Sequence, residues 1–152
     1  MLTLEPETEA AQERLGARLS AALDGGCVIF LHGDLGAGKT TLARGFLRGL
    51  GYQGAVKSPT YTLMEPYELD GRPIYHLDLY RLADPGELEY LGLRDLLTDA
   101  AVLLVEWPEK GEDELPPPDL VVDLTHQPNG RRLTLSARSE TGRRLLGRLV
   151  AA

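Results

Sequence analysis

A single cysteine, Cys27, is all the thiol chemistry available to this 152-residue chain. One thiol cannot close an intramolecular disulfide, so the fold must rest on burial and hydrogen bonding, and the composition suits a reducing, cytoplasmic setting. Cys27 opens an apolar stretch and reads as a small core residue rather than a nucleophile. No apolar run approaches the roughly 18 residues of a membrane span, so no transmembrane helix is expected. The opening Met1-Leu2-Thr3-Leu4-Glu5-Pro6-Glu7 lacks a basic segment followed by an apolar one, so no signal peptide is expected either. Positive charge is also scarce. A net charge of −7 argues against this chain alone gripping nucleic acid through phosphates. The tail is an exception, with Arg131, Arg132, Arg138, Arg143, Arg144 and Arg148. These read as solvated faces of a strand and a helix, or as a docking surface for an acidic partner. Internal repeats and domain boundaries are missing too, so residues 1–152 read as one globular domain, with 43% hydrophobic and 26% charged residues.

What is present centres on Leu31-His32-Gly33-Asp34-Leu35-Gly36-Ala37-Gly38-Lys39-Thr40-Thr41. Gly33-x-x-x-x-Gly38-Lys39-Thr40 is a complete P-loop pattern. The apolar run Val28-Ile29-Phe30-Leu31 before it reads as a buried strand, and residues 42–50 after it repeat with a helical period. That strand–loop–helix context separates a phosphate cradle from a chance glycine-rich turn. Glycines let consecutive backbone N–H groups turn toward a polyphosphate, and the helix N-terminus adds unpaired donors and partial positive charge. Lys39 is then expected to reach the β- and γ-phosphates and Thr40 to hold Mg²⁺.

The remaining elements follow in order. Residues 6–23 read as a first helix with an apolar stripe of Leu15, Leu19, Ala22 and Leu23, ended by Asp24-Gly25-Gly26. Residues 53–59 read as a loop. Residues 60–69 and 73–80 read as a hairpin around Asp70-Gly71, with Pro66 marking its first arm as an edge or bulged strand. Ala83-Asp84-Pro85 starts helical segments that run to about residue 99, interrupted near Gly92. Residues 101–105 are a continuous apolar strand, and 109–118 an acidic, proline-rich extended connection. A second hairpin joins residues 120–124 and 133–136 around Asn129-Gly130, and residues 139–149 close the chain as a helix. The pattern is α/β, a mostly parallel core sheet behind the P-loop with antiparallel additions at its edges.

Ligands of open α/β sheets sit at the carboxyl ends of the strands. Two acids fall near such ends: Asp78 late in one strand, and Glu106 closing another. Either is a candidate for the Mg²⁺ acid or the water-orienting group of a P-loop enzyme, or simply a polar strand-end residue. A small-molecule or nucleotide kinase would also need cationic groups over the transferred phosphoryl. Arg81 and Arg94 are candidates, but residues 78–101 hold no arginine-rich lid. A nucleotide-sensing module without useful turnover is a third reading.

Four blocks narrow the choice: Gly33 to Thr41, then Lys57-Ser58-Pro59-Thr60-Tyr61, then His76-Leu77-Asp78-Leu79-Tyr80-Arg81, then Glu106-Trp107. In this order and at this chain length they resemble the TsaE (YjeE) family, the small P-loop ATPase of bacterial N6-threonylcarbamoyladenosine tRNA modification. The likeness implies a P-loop NTPase-like three-layer domain that binds ATP and Mg²⁺ and hydrolyses ATP slowly on its own. It implies partners TsaD and TsaB, with a separate enzyme, TsaC, making the threonylcarbamoyl donor and tRNA held mainly by partners. Asp34, Leu35, Gly36, Ala37, Gly38, Lys39, Thr40 and Thr41 are implied to hold the nucleotide. Thr40, Asp78 and Glu106 are implied at the metal, with Lys39, Asp78, Glu106 and a switch-like Thr60 in catalysis. Thr60 could also belong to a plain turn before the hairpin. Trp107 is expected near the nucleotide or as a hydrophobic plug. Glu9 and Arg131 match further nucleotide-side positions, and Gln12 stands where the family often carries a threonine.

Overall fold

Burial on both faces is what the two central apolar runs demand, and the sheet supplies it. The computed structural model describes residues 1–151 apart from Lys57, Ser58 and Thr60. The expected switch segment at 57–61 therefore lies largely outside the described residues. Among those described, one seven-stranded sheet has the order β1-β7-β6-β2-β5-β4-β3. Its centre is parallel: β2 (Cys27–His32) lies between β5 (Val102–Glu106) and β6 (Leu120–Gln127), and β4 (Arg72–Asp78) pairs with β5. Antiparallel strands complete both sides, namely β3 (Met64–Leu69) on β4, β7 (Gly130–Ala137) on β6, and β1 (Leu2–Leu4) on β7.

Alternation along β2 divides its side chains between two layers. Cys27, Ile29 and Leu31 enter a core shared with α1 (Glu9–Ala21), α2 (Lys39–Gly49) and α5 (Glu140–Ala151). Val28 and Phe30 face the opposite core, formed with α3 (Glu87–Tyr90), α4 (Leu93–Leu96) and Leu115. Leucines wholly enclosed in these layers, such as Leu31 and Leu103, each stabilise the fold by roughly 1.5–3 kcal/mol. Cys27 belongs to the first core as expected. Burial, aided by Asp119 and Asp24, pushes its thiol up to about 12, which keeps it from acting as a nucleophile near neutral pH.

The hairpin turn has φ of 55° at Asp70 and 73° at Gly71, the paired positive values that a tight two-residue turn requires. Pro66 lies on β3, the edge strand, where a missing N–H costs no ladder bond on the outer side. Three expectations change. The helical stretch after Pro85 shrinks to the two single turns α3 and α4, because Gly92 between them takes φ 69° and ends the first. Residues 109–118 are not simply extended. They begin as 3-10 turns at Pro108–Lys110 and Glu112–Glu114, drawn inward by buried Leu115 packing on Gly111 and Leu79. Finally, Leu2-Thr3-Leu4 forms β1, too short for its alternation to stand out in the sequence.

Helices α1 and α2 touch through backbone. A Cβ on Gly16 would meet the Leu42 carbonyl oxygen and lie 2.7 Å from the Phe46 nitrogen. One on Gly45 would strike the Glu13 carbonyl, 2.7 Å from its carbon. This contact holds the start of α1 against the P-loop. Gly45→Ala is expected to destabilise the protein by roughly 1–3 kcal/mol through overpacking, read as a lower urea midpoint at unchanged m-value. An unchanged midpoint would show that the helices are free to separate.

Candidate nucleotide and metal site

The loop between β2 and α2 turns on glycine. Gly36 and Gly38 take φ of 77° and 98°, and Ala37 between them is fully buried. Asp34, Leu35 and Gly36 form the exposed tip. Helix α2 begins at Lys39, so the first-turn N–H groups have no intrahelical partner and point toward the loop's hollow. From α1, the buried Gln12 amide donates to the Gly38 carbonyl at 2.8 Å and the Ala37 carbonyl at 3.3 Å. Those bonds satisfy the two carbonyls and pin the loop to α1. A Cβ on Gly38 would push that amide aside, and its φ of 98° is one that side-chain-bearing residues rarely adopt, so glycine suits the position. Gln12 thus acts on the loop itself, a role that its place in the first helix did not reveal.

Lys39 Nζ donates to the Gly33 and Asp34 carbonyls at 2.5 and 2.9 Å, and lies 4.4 Å from the centre of the Trp107 ring. Burial lowers its pKa from the ordinary lysine value, while Glu106, Asp78, Glu109 and Asp34 pull the other way. Trp107 lines the cleft and packs on the second core. Its left-handed backbone, φ 58° and ψ 49°, leads directly into the 3-10 turn at Pro108.

The two acids meet because β4 and β5 run parallel and in register, Asp78 opposite Glu106. Both are buried. The Thr40 hydroxyl lies 3.3 and 3.4 Å from the two Glu106 oxygens, and Asp78 Oδ1 accepts from the Tyr80 N–H at 3.0 Å. On the same face of β4, buried His76 places Nε2 2.6 Å from Glu106 Oε2. Among the described residues no cluster of three or more His, Cys, Asp or Glu forms a self-sufficient metal cage. One hydroxyl and two carboxylates are instead the partial all-oxygen set that Mg²⁺ takes when phosphates and waters complete its shell, so these residues fit it.

A cleft of about 380 Å³ gathers Leu35, Gly36, Gly38, Lys39, Thr40, Thr41, Asp78, Glu106 and Trp107 with Tyr80 and Arg81. A second cleft of about 290 Å³ shares Gly36, Gly38 and Thr41 with it and adds Glu9, Gln12 and Arg131. Arg131 donates to the Gly36 carbonyl at 3.2 Å, tying β7 to the loop. The Glu9 carboxylate, on the rim, is held by Arg44 at 2.8 Å. Of the arginines that a kinase would need, Arg81 lines the first cleft with its guanidinium 4.7 Å over Tyr61, whereas Arg94 lines neither.

Comparison with known proteins accords with this geometry. The family profile "Threonylcarbamoyl adenosine biosynthesis protein TsaE" matches residues 6–134. The "tRNA threonylcarbamoyladenosine biosynthesis protein TsaE" of Haemophilus influenzae is 50% identical over 119 residues, covering 78% of this chain and 75% of that protein. The protein of the same name from Bacillus subtilis is 43% identical over 114 residues, covering 75% and 69%. The crystal structure of Bacillus subtilis YdiB superposes with a TM-score of 0.81 at 33% identity, covering 99% of this chain and 94% of that one. The chain belongs to the TsaE family.

Proposed function

We propose that this chain binds and hydrolyses Mg–ATP in support of N6-threonylcarbamoyladenosine modification of tRNA. It acts on a TsaD–TsaB assembly so that the assembly turns over repeatedly, with the whole of residues 1–152 serving as one ATPase unit. The observation that carries the reading is convergence in one cleft. The P-loop, Lys39, Thr40, Asp78 and Glu106 all line it, at the carboxyl edge of the parallel strands.

Charge favours a metal–nucleotide over a bare one. Four carboxylates, Glu106, Asp78, Glu109 and Asp34, act on Lys39. A polyphosphate alone would meet net repulsion there. Mg²⁺, held by Thr40, Asp78 and Glu106, would supply the missing positive charge and screen charge building on the phosphoryl oxygens. The chain's own residues do the rest. First-turn N–H groups of α2 bind phosphate, Lys39 neutralises it, and Glu106, at the cation's side of the γ-phosphate, orients water. Glu9, Arg131 and Trp107 would flank the nucleotide. Thr60, by family resemblance, would report the γ-phosphate to the partner.

Lys39→Ala should lower kcat/KM for ATP by about 100-fold or more while the protein stays folded, because the lost charge is the one that meets phosphate. Asp78→Ala should raise the Mg²⁺ concentration needed for half-maximal rate, and Glu106→Ala should cut kcat more than it weakens ATP binding. Phosphate-release kinetics across a Mg²⁺ titration check all three. Parent-like rates in every variant would remove the assignment.

Adding TsaD–TsaB should accelerate phosphate release from the parent. Thr60→Ala should bind ATP as the parent does, since one hydroxyl contact is worth only about 0.5–1.5 kcal/mol, yet lose that acceleration. Equal stimulation of both proteins, with equal multi-turnover tRNA modification, would exclude Thr60 from the coupling.

A further inference from the structure

His76 is fully buried, yet only one of its ring nitrogens is engaged. Nε2 lies 2.6 Å from Glu106 Oε2, while Nδ1 has no hydrogen-bond partner among the described residues. A position that served packing alone would favour an apolar residue, which leaves no buried polar atom unpaired. The bond must therefore be sought on its other side, at Glu106.

The bond's direction follows from inventory. Cation binding requires Glu106 as the ionised carboxylate, whose oxygens only accept, and in that state Nε2 carries the proton and donates. Register supplies the approach. Asp78 lies opposite Glu106 and His76 opposite Leu104, so the imidazole reaches Glu106 along the diagonal between neighbouring parallel strands. Oε2 is fixed by this donor; the Thr40 hydroxyl lies almost equally far from both oxygens, at 3.3 Å from Oε1 and 3.4 Å from Oε2, so Oε1 is distinguished by being the oxygen the histidine leaves open. The carboxylate consequently holds one rotation about its terminal bond, a torsion that is otherwise broad.

We infer that His76 is a positioning residue: its Nε2–H orients the Glu106 carboxylate so that Oε1 and the Thr40 hydroxyl face the cation of the bound nucleotide. The inference rests on the Mg–ATP reading above. Histidine rings and carboxylates that orient groups at a metal commonly alter metal affinity or rate when removed, though they touch neither substrate nor ion. The chain supplies that orientation from inside a β-strand, where the ring cannot swing.

The test compares His76→Leu, which keeps bulk and removes the donor, with His76→Gln, whose amide nitrogen restores one. His76→Leu should lower kcat and weaken Mn²⁺ binding to the ADP complex, followed by electron paramagnetic resonance, each about tenfold or more. Metal-free ADP affinity should stay within about twofold, because the P-loop contacts are untouched. His76→Gln should recover most of both losses. In the unaltered protein, ring ¹⁵N correlations should show His76 protonated at Nε2, and this needs no variant to fold. An unprotonated Nε2 overturns the inference. So does an active parent whose His76→Leu form is unimpaired, or one in which the Leu and Gln forms are equally impaired. A parent that neither binds nor hydrolyses Mg–ATP overturns the functional reading itself.

Discussion

Parallel, in-register pairing of β4 with β5 is the constraint on which the site depends. It sets Asp78 beside Glu106 at the edge where β2 gives way to the P-loop. A one-residue slip of either strand would turn its acid to the opposite face and strand it in the apolar second core. The register is protected because both strands are buried on two faces, so any slip exposes mismatched side chains to both layers at once. Asp119 adds a clamp at the far end of the sheet, accepting from the Val28 N–H at 2.8 Å and from the Ser139 hydroxyl at 2.6 Å. The position of the acids is thus a consequence of core packing.

The charges are arranged with the same economy. Buried Lys39, Asp78 and Glu106 would each carry a desolvation cost of several kcal/mol if isolated. The structure answers with short bonds: Lys39 to two carbonyls and an aromatic face, Glu106 to His76 and Thr40, Asp78 to the Tyr80 N–H. Such groups are held in place before a ligand arrives, which spares the reorganisation that solvated side chains would require. The same logic extends to the loop, where Gln12 engages the Ala37 and Gly38 carbonyls and Arg131 the Gly36 carbonyl. The two clefts share Gly36, Gly38 and Thr41 in their linings.

Much of this was legible beforehand, for local reasons. The P-loop declares itself within eleven residues, and its flanking strand and helix are continuous in sequence. Strand ends were legible because β2 and β5 are unbroken apolar runs that stop at polar residues. Asp70-Gly71 and Asn129-Gly130 announced their turns by backbone preference. What stayed hidden depends on contacts between distant segments. Gln12 meets Gly38 only because Gly16 and Gly45 let α1 and α2 approach through backbone, and no periodicity encodes that approach. His76 appeared as one letter of a motif; its partner is thirty residues away across a strand pair. Leu115, amid acids and prolines, gave no sign that it would pull its segment into two 3-10 turns.

The two clefts beside the P-loop draw their linings from three strands and two helices, with loop residues between them, each placed by ordinary packing. The most direct measurement is a crystal structure of this protein with Mg²⁺ and a non-hydrolysable ATP analogue. The β- and γ-phosphates should lie on the first-turn N–H groups of α2 within reach of Lys39, with the cation bonded to Thr40 and to Glu106 or Asp78. Phosphates bound elsewhere, or a cation that touches neither carboxylate, would contradict the reading of this cleft.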